Sequence, residues 1–172
     1  TRLARAKKAV NDMANTLLNG DIEGVKMALV SFSTTAGTVQ EFTDSFNTYT
    51  RAVNNLNASG GTNWEQALSI ANRMAVDSDA ATFVVFVTDG DPTYRVSRGN
   101  YTNDNLDMRT NSTYDRYREY GLFGMGTDNN STTVSRCFDA AVPEVSSILA
   151  SNKTFYAIGV SSSVTKAQNL VD

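Results

Sequence analysis

The sequence predicts an α/β fold: a Rossmann-like open sheet, mostly parallel, with one antiparallel edge strand and helices on both faces. The run from 83 to 87 is continuous in β-branched and aromatic residues, which suits a strand covered on both faces. Amphipathic helical patterns alternate with such runs, as in chains built of right-handed crossovers. With 41% hydrophobic residues in 172, the chain has enough apolar material for the core of one domain.

Each element follows from its local pattern. A helical stripe begins at Leu3 and stops at Asn19–Gly20. The connection near 35–37 is short enough for a hairpin, so the first two strands should be antiparallel. In order, the chain predicts a helix at 3–18, strands at 25–32 and 38–43, helices at 46–56 and 64–74, a central strand at 83–88, a helix at 134–149, a strand at 153–160 and a helix starting at 164.

Periodicity lapses between residues 94 and 133, a stretch rich in Tyr, Asn, Asp, Arg and Gly. A connection of that length is far beyond the usual loop of about four to six residues and is usually functional or disordered. Its tyrosines and apolar residues favour a structured excursion from the sheet over disorder.

Composition excludes several classes of partner and chemistry. The net charge of −3 and the pI of about 4.9 favour neither nucleic acid nor an anionic membrane surface. No apolar run approaches the roughly 18 residues of a membrane span. The chain has no histidine, and its single cysteine, Cys137, lies on the apolar side of a predicted helix. Any metal chemistry should therefore use oxygen ligands.

Two polar features are expected to meet at one edge of the sheet. Asp89 ends the central strand, and Thr62 follows Gly60–Gly61 at a helix start. The carboxyl ends of parallel strands share one rim, where open sheets bind ligands. A hydroxyl and a carboxylate are ligands suited to Mg²⁺. Thr62 with Glu65 also fits a capping box, so a helix-capping role for Thr62 stays open.

The segments Gly-Gly-Thr-Asn at 60–63 and Val-Phe-Val-Thr-Asp-Gly-Asp-Pro-Thr at 85–93 resemble the von Willebrand factor type A domain. The resemblance implies that Thr62 and Asp89 belong to a metal-ion-dependent adhesion site for Mg²⁺, or for Mn²⁺ or Ca²⁺. The family's Asp-x-Ser-x-Ser motif is absent, since Ser31-Phe-Ser33 lacks the leading Asp. The site is thus expected to be incomplete in this chain.

By the same resemblance, residues 1–172 form a single type A domain truncated at both ends. Its first strand and its last strand and helix would be missing. The absent first strand is the central one, so upstream sequence or another chain should supply it. The excursion at about 94–133 would be an insertion after the metal-site strand.

The family implies a non-enzymatic, extracellular protein-binding module for adhesion to a host or matrix protein. The excursion is similar to insertions in tip adhesins of Gram-positive bacterial pili, which implies a cell-surface, cell-wall-anchored or pilus-associated parent. Because arginine and tyrosine suit binding hot spots, the excursion should recognise the ligand. The candidate ligand-binding residues are Asp91, Tyr94, Arg95, Arg98 and Tyr101.

Two alternatives remain open. Asp89-Gly-Asp91-Pro-Thr93 also fits the D-x-D-x-T motif of haloacid-dehalogenase-like phosphotransferases, with Asp89 as nucleophile and Asp91 as general acid/base. That family needs a later acidic pair after a strand, whereas the strand at 153–160 is followed by serines. The other alternative is an intracellular type A domain that serves in the assembly of a complex.

Overall fold

The computed structural model describes residues 1–97, 121–124 and 131–170. The helices are α1 (Arg2–Leu18), α2 (Phe46–Asn54), α3 (Trp64–Arg73) and α4 (Ser131–Ala150), with a 3₁₀ turn at Gln168–Leu170. The strands are β1 (Met27–Phe32), β2 (Ala36–Thr43), β3 (Phe83–Thr88), β4 (Tyr94–Arg95), β5 (Phe123–Gly124) and β6 (Thr154–Gly159). No helix in these ranges is both long and apolar enough to cross a membrane.

The predicted α/β class and the antiparallel edge strand are confirmed. β1 pairs with β2 as an antiparallel hairpin, and β3 pairs with β6 in parallel from Phe83–Thr154 to Thr88–Gly159. β4 and β5 form a third, short antiparallel pair. The described strands therefore form three separate two-stranded sheets rather than one continuous sheet, because β1 and β3 do not pair with each other.

The helix predicted to start at residue 164 is wrong for the described residues. Only a 3₁₀ turn forms there, at Gln168–Leu170. The backbone amides of Thr165 and Lys166 donate to the carboxylate of Asp91, at 2.8 and 2.9 Å. These long-range bonds hold the chain after β6 as a loop against the turn after β3.

The larger core lies between β3, β6, α3 and α4. Phe86 is its centre, with ring centroids of Trp64 and Phe155 at 5.3 and 6.3 Å. Offset and edge-on aromatic contacts of this kind add to the burial of apolar area. The buried members are Trp64, Leu68, Phe86, Ala141, Val145, Ile148, Phe155, Ala167 and Leu170.

A smaller core lies between α1, α2 and β1. It contains four buried residues: Ala14, Met27, Tyr49 and Val53. Half-buried apolar side chains from α1, α2 and β1 surround them. This core packs on one side of the β1–β2 hairpin, away from the aromatic centre at Phe86.

A cleft of about 1280 Å³ separates the two cores. Every residue of β1 and of β3 lines it, and apolar residues of α1 and α3 contribute to its walls. Since β1 and β3 each pair on one edge only among the described strands, their facing edges present free backbone groups to this space.

Candidate functional site

The site begins where β3 ends. Thr88, the last residue of β3, accepts a hydrogen bond from Trp64 Nε1 at 3.2 Å and donates to the carbonyl of Gly90 at 2.9 Å. The first bond ties the strand end to the start of α3, and the second closes the turn that follows. Asp89 is thereby presented at the carboxyl end of the strand, exposed to solvent.

The loop before α3 is shaped by two glycines. Gly60 has a φ of +72°, a left-handed conformation that glycine adopts without a Cβ penalty. Gly61 packs so closely that an added Cβ would lie 2.5 Å from the ring of Tyr94. Thr34 holds this loop, because its Oγ1 accepts a hydrogen bond from the Gly61 N–H at 3.0 Å. This tight approach brings Thr62 to the rim of the sheet.

The Thr62 hydroxyl lies beside the turn that contains Asp89 and Gly90. A Cβ on Gly90 would lie 3.9 Å from Thr62 Oγ1, and Thr62 and Asp89 line the same cleft. Within the described part of the chain, neither the Thr62 hydroxyl nor the Asp89 carboxylate makes a hydrogen bond to protein. Both oxygens are thus available to a ligand.

A divalent cation fits this donor set only in part. A hydroxyl and a carboxylate are hard oxygen donors of the kind Mg²⁺ prefers, but the ion takes about six ligands. The residues described here contain no group of three or more Asp, Glu, Cys or His side chains that could hold a metal. Thr62 and Asp89 would hold one side of an ion, and the remaining ligands would be water or groups from outside these residues.

Thr62 does not cap α3, so that interpretation of the sequence is wrong. The cap is Asn63, whose Oδ1 accepts from the Gln66 N–H at 3.0 Å and whose Nδ2 donates to the Thr34 carbonyl at 3.1 Å. Glu65 does not reach back to the cap either. Because the neighbouring asparagine takes the capping role, the Thr62 hydroxyl is left facing Gly90.

Asp91 is a structural anchor in this structure. Its carboxylate accepts from the Thr165 and Lys166 amides and from the Thr165 hydroxyl, the last at 2.5 Å. Ser163 adds a bond to the carbonyl of Asp89 at 3.3 Å. The predicted ligand-binding residue Asp91 therefore fixes the loop at 161–167 beside the rim, with its oxygens already engaged.

The predicted ligand-binding residues Tyr94 and Arg95 lie in the interior instead of at the surface. Tyr94 is 4% exposed and Arg95 is fully buried. The Arg95 guanidinium lies 5.4 Å from the centroid of the Phe123 ring, and its Nε donates to the Ser97 carbonyl at 3.0 Å. These side chains form the base of the excursion. Arg98 and Tyr101 lie outside the described residues.

Sequence reasoning missed Glu65 as part of this region. Glu65 is 5% exposed, and its carboxylate accepts from the backbone amides of Val96 and Ser97. A glutamate in the first turn of a helix is usually a cap partner or a favourable charge at the helix N-terminus. Nothing local in the sequence indicates that it bonds to residues more than thirty positions away.

Comparison with known proteins shows the family of the chain. The family model of the von Willebrand factor type A domain matches residues 1–91, slightly more than half of the chain and the part that ends just after Asp89. The chain belongs to the von Willebrand factor type A domain family. A search of curated proteins found no match.

Solved structures with the same fold come from pilus proteins. The PilB minor pilin from Streptococcus sanguinis has a TM-score of 0.75 at 22% identity, over 99% of this chain and 46% of that one. The von Willebrand factor domain of the type V pili tip protein Mfa5 from Porphyromonas gingivalis has a TM-score of 0.53 at 22% identity, over 64% and 38%. The chain thus spans less than half the length of these neighbours.

Proposed function

We propose that this domain is an extracellular protein-binding module of a cell-surface or pilus-associated protein. It binds an acidic group of a host or matrix protein ligand through a divalent cation held at the rim formed by Thr62 and Asp89. The observation that supports this most is the position of the Thr62 hydroxyl beside Gly90, the residue after Asp89, with neither the Thr62 hydroxyl nor the Asp89 carboxylate hydrogen-bonded to any residue in the described ranges.

The two residues have different tasks. Asp89 supplies the negative charge that holds the cation, and its exposed position leaves the ion accessible from solvent. Thr62 supplies a neutral oxygen, so the pair leaves the cation with net positive charge toward a ligand carboxylate. Gly90 between them has no side chain to obstruct the approach. When bound, the cation would supply an open coordination position for an anionic oxygen.

The surroundings of the rim are rigid. On one side, Asp91 holds the loop at 161–167 through three hydrogen bonds. On the other, the Thr62 carbonyl accepts from the Thr93 and Tyr94 amides at 2.8 and 3.0 Å. A site held this way is preorganised, so little entropy is lost when a ligand binds.

Binding to immobilised extracellular-matrix proteins tests the proposal. The protein is measured in Mg²⁺ and in EDTA, together with Asp89→Ala and, as matched control, Asp21→Ala, which removes an exposed carboxylate remote from the rim. We expect Mg²⁺-dependent binding that Asp89→Ala abolishes and Asp21→Ala retains. Equal binding by Asp89→Ala, or binding that survives EDTA, would contradict a cation-mediated mechanism.

Calorimetric titration with Mg²⁺ tests the ligand count separately. With two protein ligands, most of the ion's shell remains water, and Mg²⁺ dehydrates reluctantly. We expect the 172-residue chain to bind Mg²⁺ weakly, and the same chain joined to an upstream strand carrying Asp-x-Ser-x-Ser to bind it well. Equal, tight binding by both proteins would show that the ligands lie elsewhere.

The phosphotransferase alternative finds less support in the geometry. Its general acid/base would be Asp91, whose carboxylate instead accepts two backbone amides and a hydroxyl. Its third residue, Thr93, is 5% exposed and accepts from the Thr62 amide at 3.0 Å. Turnover of a phosphoryl-transfer substrate with Mg²⁺, lost in Asp89→Asn, would reverse this preference.

A further inference from the structure

We propose that the peptide link between Asp89 and Gly90 is a site of covalent self-modification, at which Asp89 converts to isoaspartate through a cyclic succinimide. The reaction uses water and needs no enzyme or cofactor. This link is the chain's single Asp-Gly sequence, and it lies directly after β3, on the rim. The reaction is independent of the proposed function, and only its consequence for cation binding rests on that function.

The reaction begins when the Gly90 amide nitrogen attacks Cγ of the Asp89 side chain. The new N–Cγ bond closes a five-membered ring, and one carboxylate oxygen leaves as water with the amide proton and a proton from solvent. Water then opens the ring at either carbonyl. Opening at Cγ restores aspartate, whereas opening at the main-chain carbonyl gives isoaspartate, so the mass of the chain is unchanged.

Both reacting groups are available in the structure. The Asp89 side chain is exposed, and within the described ranges its carboxylate accepts no hydrogen bond. The Gly90 N–H donates none to the same part of the chain. Outside its chain neighbours, a Cβ added to Gly90 would meet no atom closer than Thr62 Oγ1 at 3.9 Å. The space beside the attacking nitrogen is therefore open.

The hydrogen bonds that shape this turn do not oppose ring closure. The Gly90 carbonyl accepts from the Thr88 hydroxyl at 2.9 Å, and the Asp89 carbonyl accepts from the Ser163 hydroxyl at 3.3 Å. Both bonds use main-chain carbonyl oxygens, whereas ring closure uses the Gly90 N–H and the Asp89 carboxylate. The ring can therefore form without either bond being lost first.

Other aspartates in the described ranges lack an available amide after them. Pro92 has no N–H, and the carboxylate of Asp91 before it already accepts three hydrogen bonds. After Asp44, the amide of Ser45 donates to the Thr43 hydroxyl at 3.1 Å. Glycine also lacks the Cβ that hinders the approach of the nitrogen at every other residue.

Conversion changes the rim. Isoaspartate adds one carbon to the main chain between residues 89 and 90 and leaves the carboxylate on a side group one carbon shorter. The carboxylate thus moves relative to the Thr62 hydroxyl. If Asp89 holds a cation as proposed, the modified protein should bind Mg²⁺ more weakly than the unmodified protein.

Peptide mapping of the incubated 172-residue protein tests the proposal. Trypsin releases residues 74–95 as one peptide, because no lysine or arginine lies between Arg73 and Arg95. Chromatography and fragmentation of this peptide locate isoaspartate, and an endoproteinase that cleaves before aspartate fails to cut at the modified position. A synthetic peptide of residues 84–95 is incubated in parallel in the same metal-free buffer, and the experiment ends when half of it has isomerised.

Two variants test the mechanism. Gly90→Ala adds a methyl group beside the attacking nitrogen, and the turn accommodates it, since the nearest contact would be 3.9 Å and the φ of Gly90 lies outside the left-handed region. Asp89→Glu keeps the charge, but its ring would have six members and closes more slowly. We expect isoaspartate at residue 89 of the wild type, while Asp77, Asp79 and Asp91 in the same peptide stay unchanged. Conversion should be several-fold slower in Gly90→Ala and nearly absent in Asp89→Glu.

Unmodified aspartate at residue 89 of the wild type at the end of the incubation would overturn the proposal, and so would conversion of Gly90→Ala at the wild-type rate. A second incubation in saturating Mg²⁺ separates this inference from the proposed function. Slower conversion in Mg²⁺ would support both, because a carboxylate bound to an ion is restrained and keeps its charge. Equal conversion with and without Mg²⁺ would support the isomerisation and contradict Asp89 as a cation ligand.

Discussion

The two halves of the molecule differ in the size of their cores. The larger core lies in the half that contains α3, β3, α4 and β6, and the smaller core lies in the half that contains α1, α2, β1 and β2. Among the described residues, the core of the first half has nine buried members, including Phe86, and that of the second has four, including Tyr49 and Val53. Phe32 of β1 stacks on Phe86, with ring centroids 5.3 Å apart, and links the two. Otherwise the cleft between β1 and β3 separates them.

Within the described residues, the β3–β6 pair of the first half is covered on one face only. In the β3–β6 register, Val84, Phe86 and Phe155 face the core, whereas Phe83, Tyr156 and Ile158 face the other way and are 59%, 53% and 46% exposed. Parallel strands are normally buried on both faces. Among the described residues, the chain thus has one well-packed interface between helices and sheet, and it leaves the cleft between β1 and β3 and the second face of the β3–β6 pair uncovered.

The largest expected effect on stability comes from filling the cleft between β1 and β3. An extended apolar segment joined ahead of Thr1 should pair with the free edges of β1 and β3 and raise the free energy of unfolding on the order of 5 kcal/mol, from about three newly buried apolar side chains. In the 172-residue chain the two halves should unfold separately, with amides near Tyr49 and Val53 losing protection in less urea than the fluorescence of Trp64 reports.

The control is the same segment with lysine at alternate positions, so that one face of the added strand is charged and cannot be buried. With this control segment we expect the two halves still to unfold in separate transitions. A 172-residue chain that is monomeric and unfolds in one step by both probes would refute the idea that the halves need a shared strand.

The titration of Tyr49 tests how tightly the smaller core is packed. Burial raises the pKa of Tyr49 from 10.0 to about 12. The folded state therefore holds the phenol proton of Tyr49 more tightly than the unfolded state does. The stability that this proton contributes is fully present below pH 10 and is lost as the pH rises toward 12. The loss is at most about 3 kcal/mol for a shift of this size.

Urea unfolding of the wild type and of Tyr49→Phe between pH 9 and 12 measures this effect. The difference in stability between the two proteins isolates Tyr49 from other groups that titrate there. A difference that stays constant across the range would show that the phenol is accessible to water, and that the smaller core is looser than its 3% exposure of Tyr49 indicates.

Local pattern was sufficient to predict most of the elements. The stop of α1 at Asn19, the β1–β2 hairpin and the central strand at Phe83–Thr88 follow from short-range chemistry that the structure retains. The rule that parallel strands end on one rim predicts that Thr62 and Asp89 lie close together, and the structure places the Thr62 hydroxyl beside Gly90, the residue after Asp89. The predictions of these elements are confirmed because each depends on a few neighbouring residues.

Where the structure places a residue differently from what its type suggests, the cause is a partner distant in sequence. Asp91 looked like a ligand-binding acid, but its partners are 74 and 75 positions away. Arg95 looked like a surface hot spot, but it is buried against Phe123 at the base of the excursion. Residue type predicts surface exposure only on average, and a buried hydrogen-bond network overrides it.

A smaller effect is expected at the far end of α3, in the better-enclosed half. Lys153 is 9% exposed, and its Nζ donates to the Asn72 carbonyl at 2.5 Å in the last turn of that helix. Lys153→Met should cost about 2 kcal/mol, because it removes a charge-assisted bond and a cation near the helix C-terminus. Lys26→Met, at an exposed position ahead of β1, is the control and should change stability little.

The urea midpoints of Lys153→Met and Lys26→Met, compared with that of the wild type, measure this effect. If Lys153→Met is as stable as the wild type, the contact is a surface bond that water replaces, and the connection between α3 and β6 depends on apolar packing alone.

The smallest expected effect on stability concerns Thr62 and Asn63, the two adjacent residues before α3, which we expect to have different roles. Asn63→Ala removes the cap bond to Gln66 and the bond to Thr34, and should lower stability by about 1 to 2 kcal/mol. Thr62→Ala should lower it by less than about 0.5 kcal/mol, because the Thr62 hydroxyl has no protein partner in the described residues and its backbone bonds persist. Mg²⁺ affinity should show the reverse order, falling in Thr62→Ala and holding in Asn63→Ala. Thermal melts and calorimetric titration of both variants, in the chain joined to a strand carrying Asp-x-Ser-x-Ser, compare the two quantities directly. A Thr62→Ala variant as destabilised as Asn63→Ala would restore the capping role to Thr62 and remove it from the cation rim.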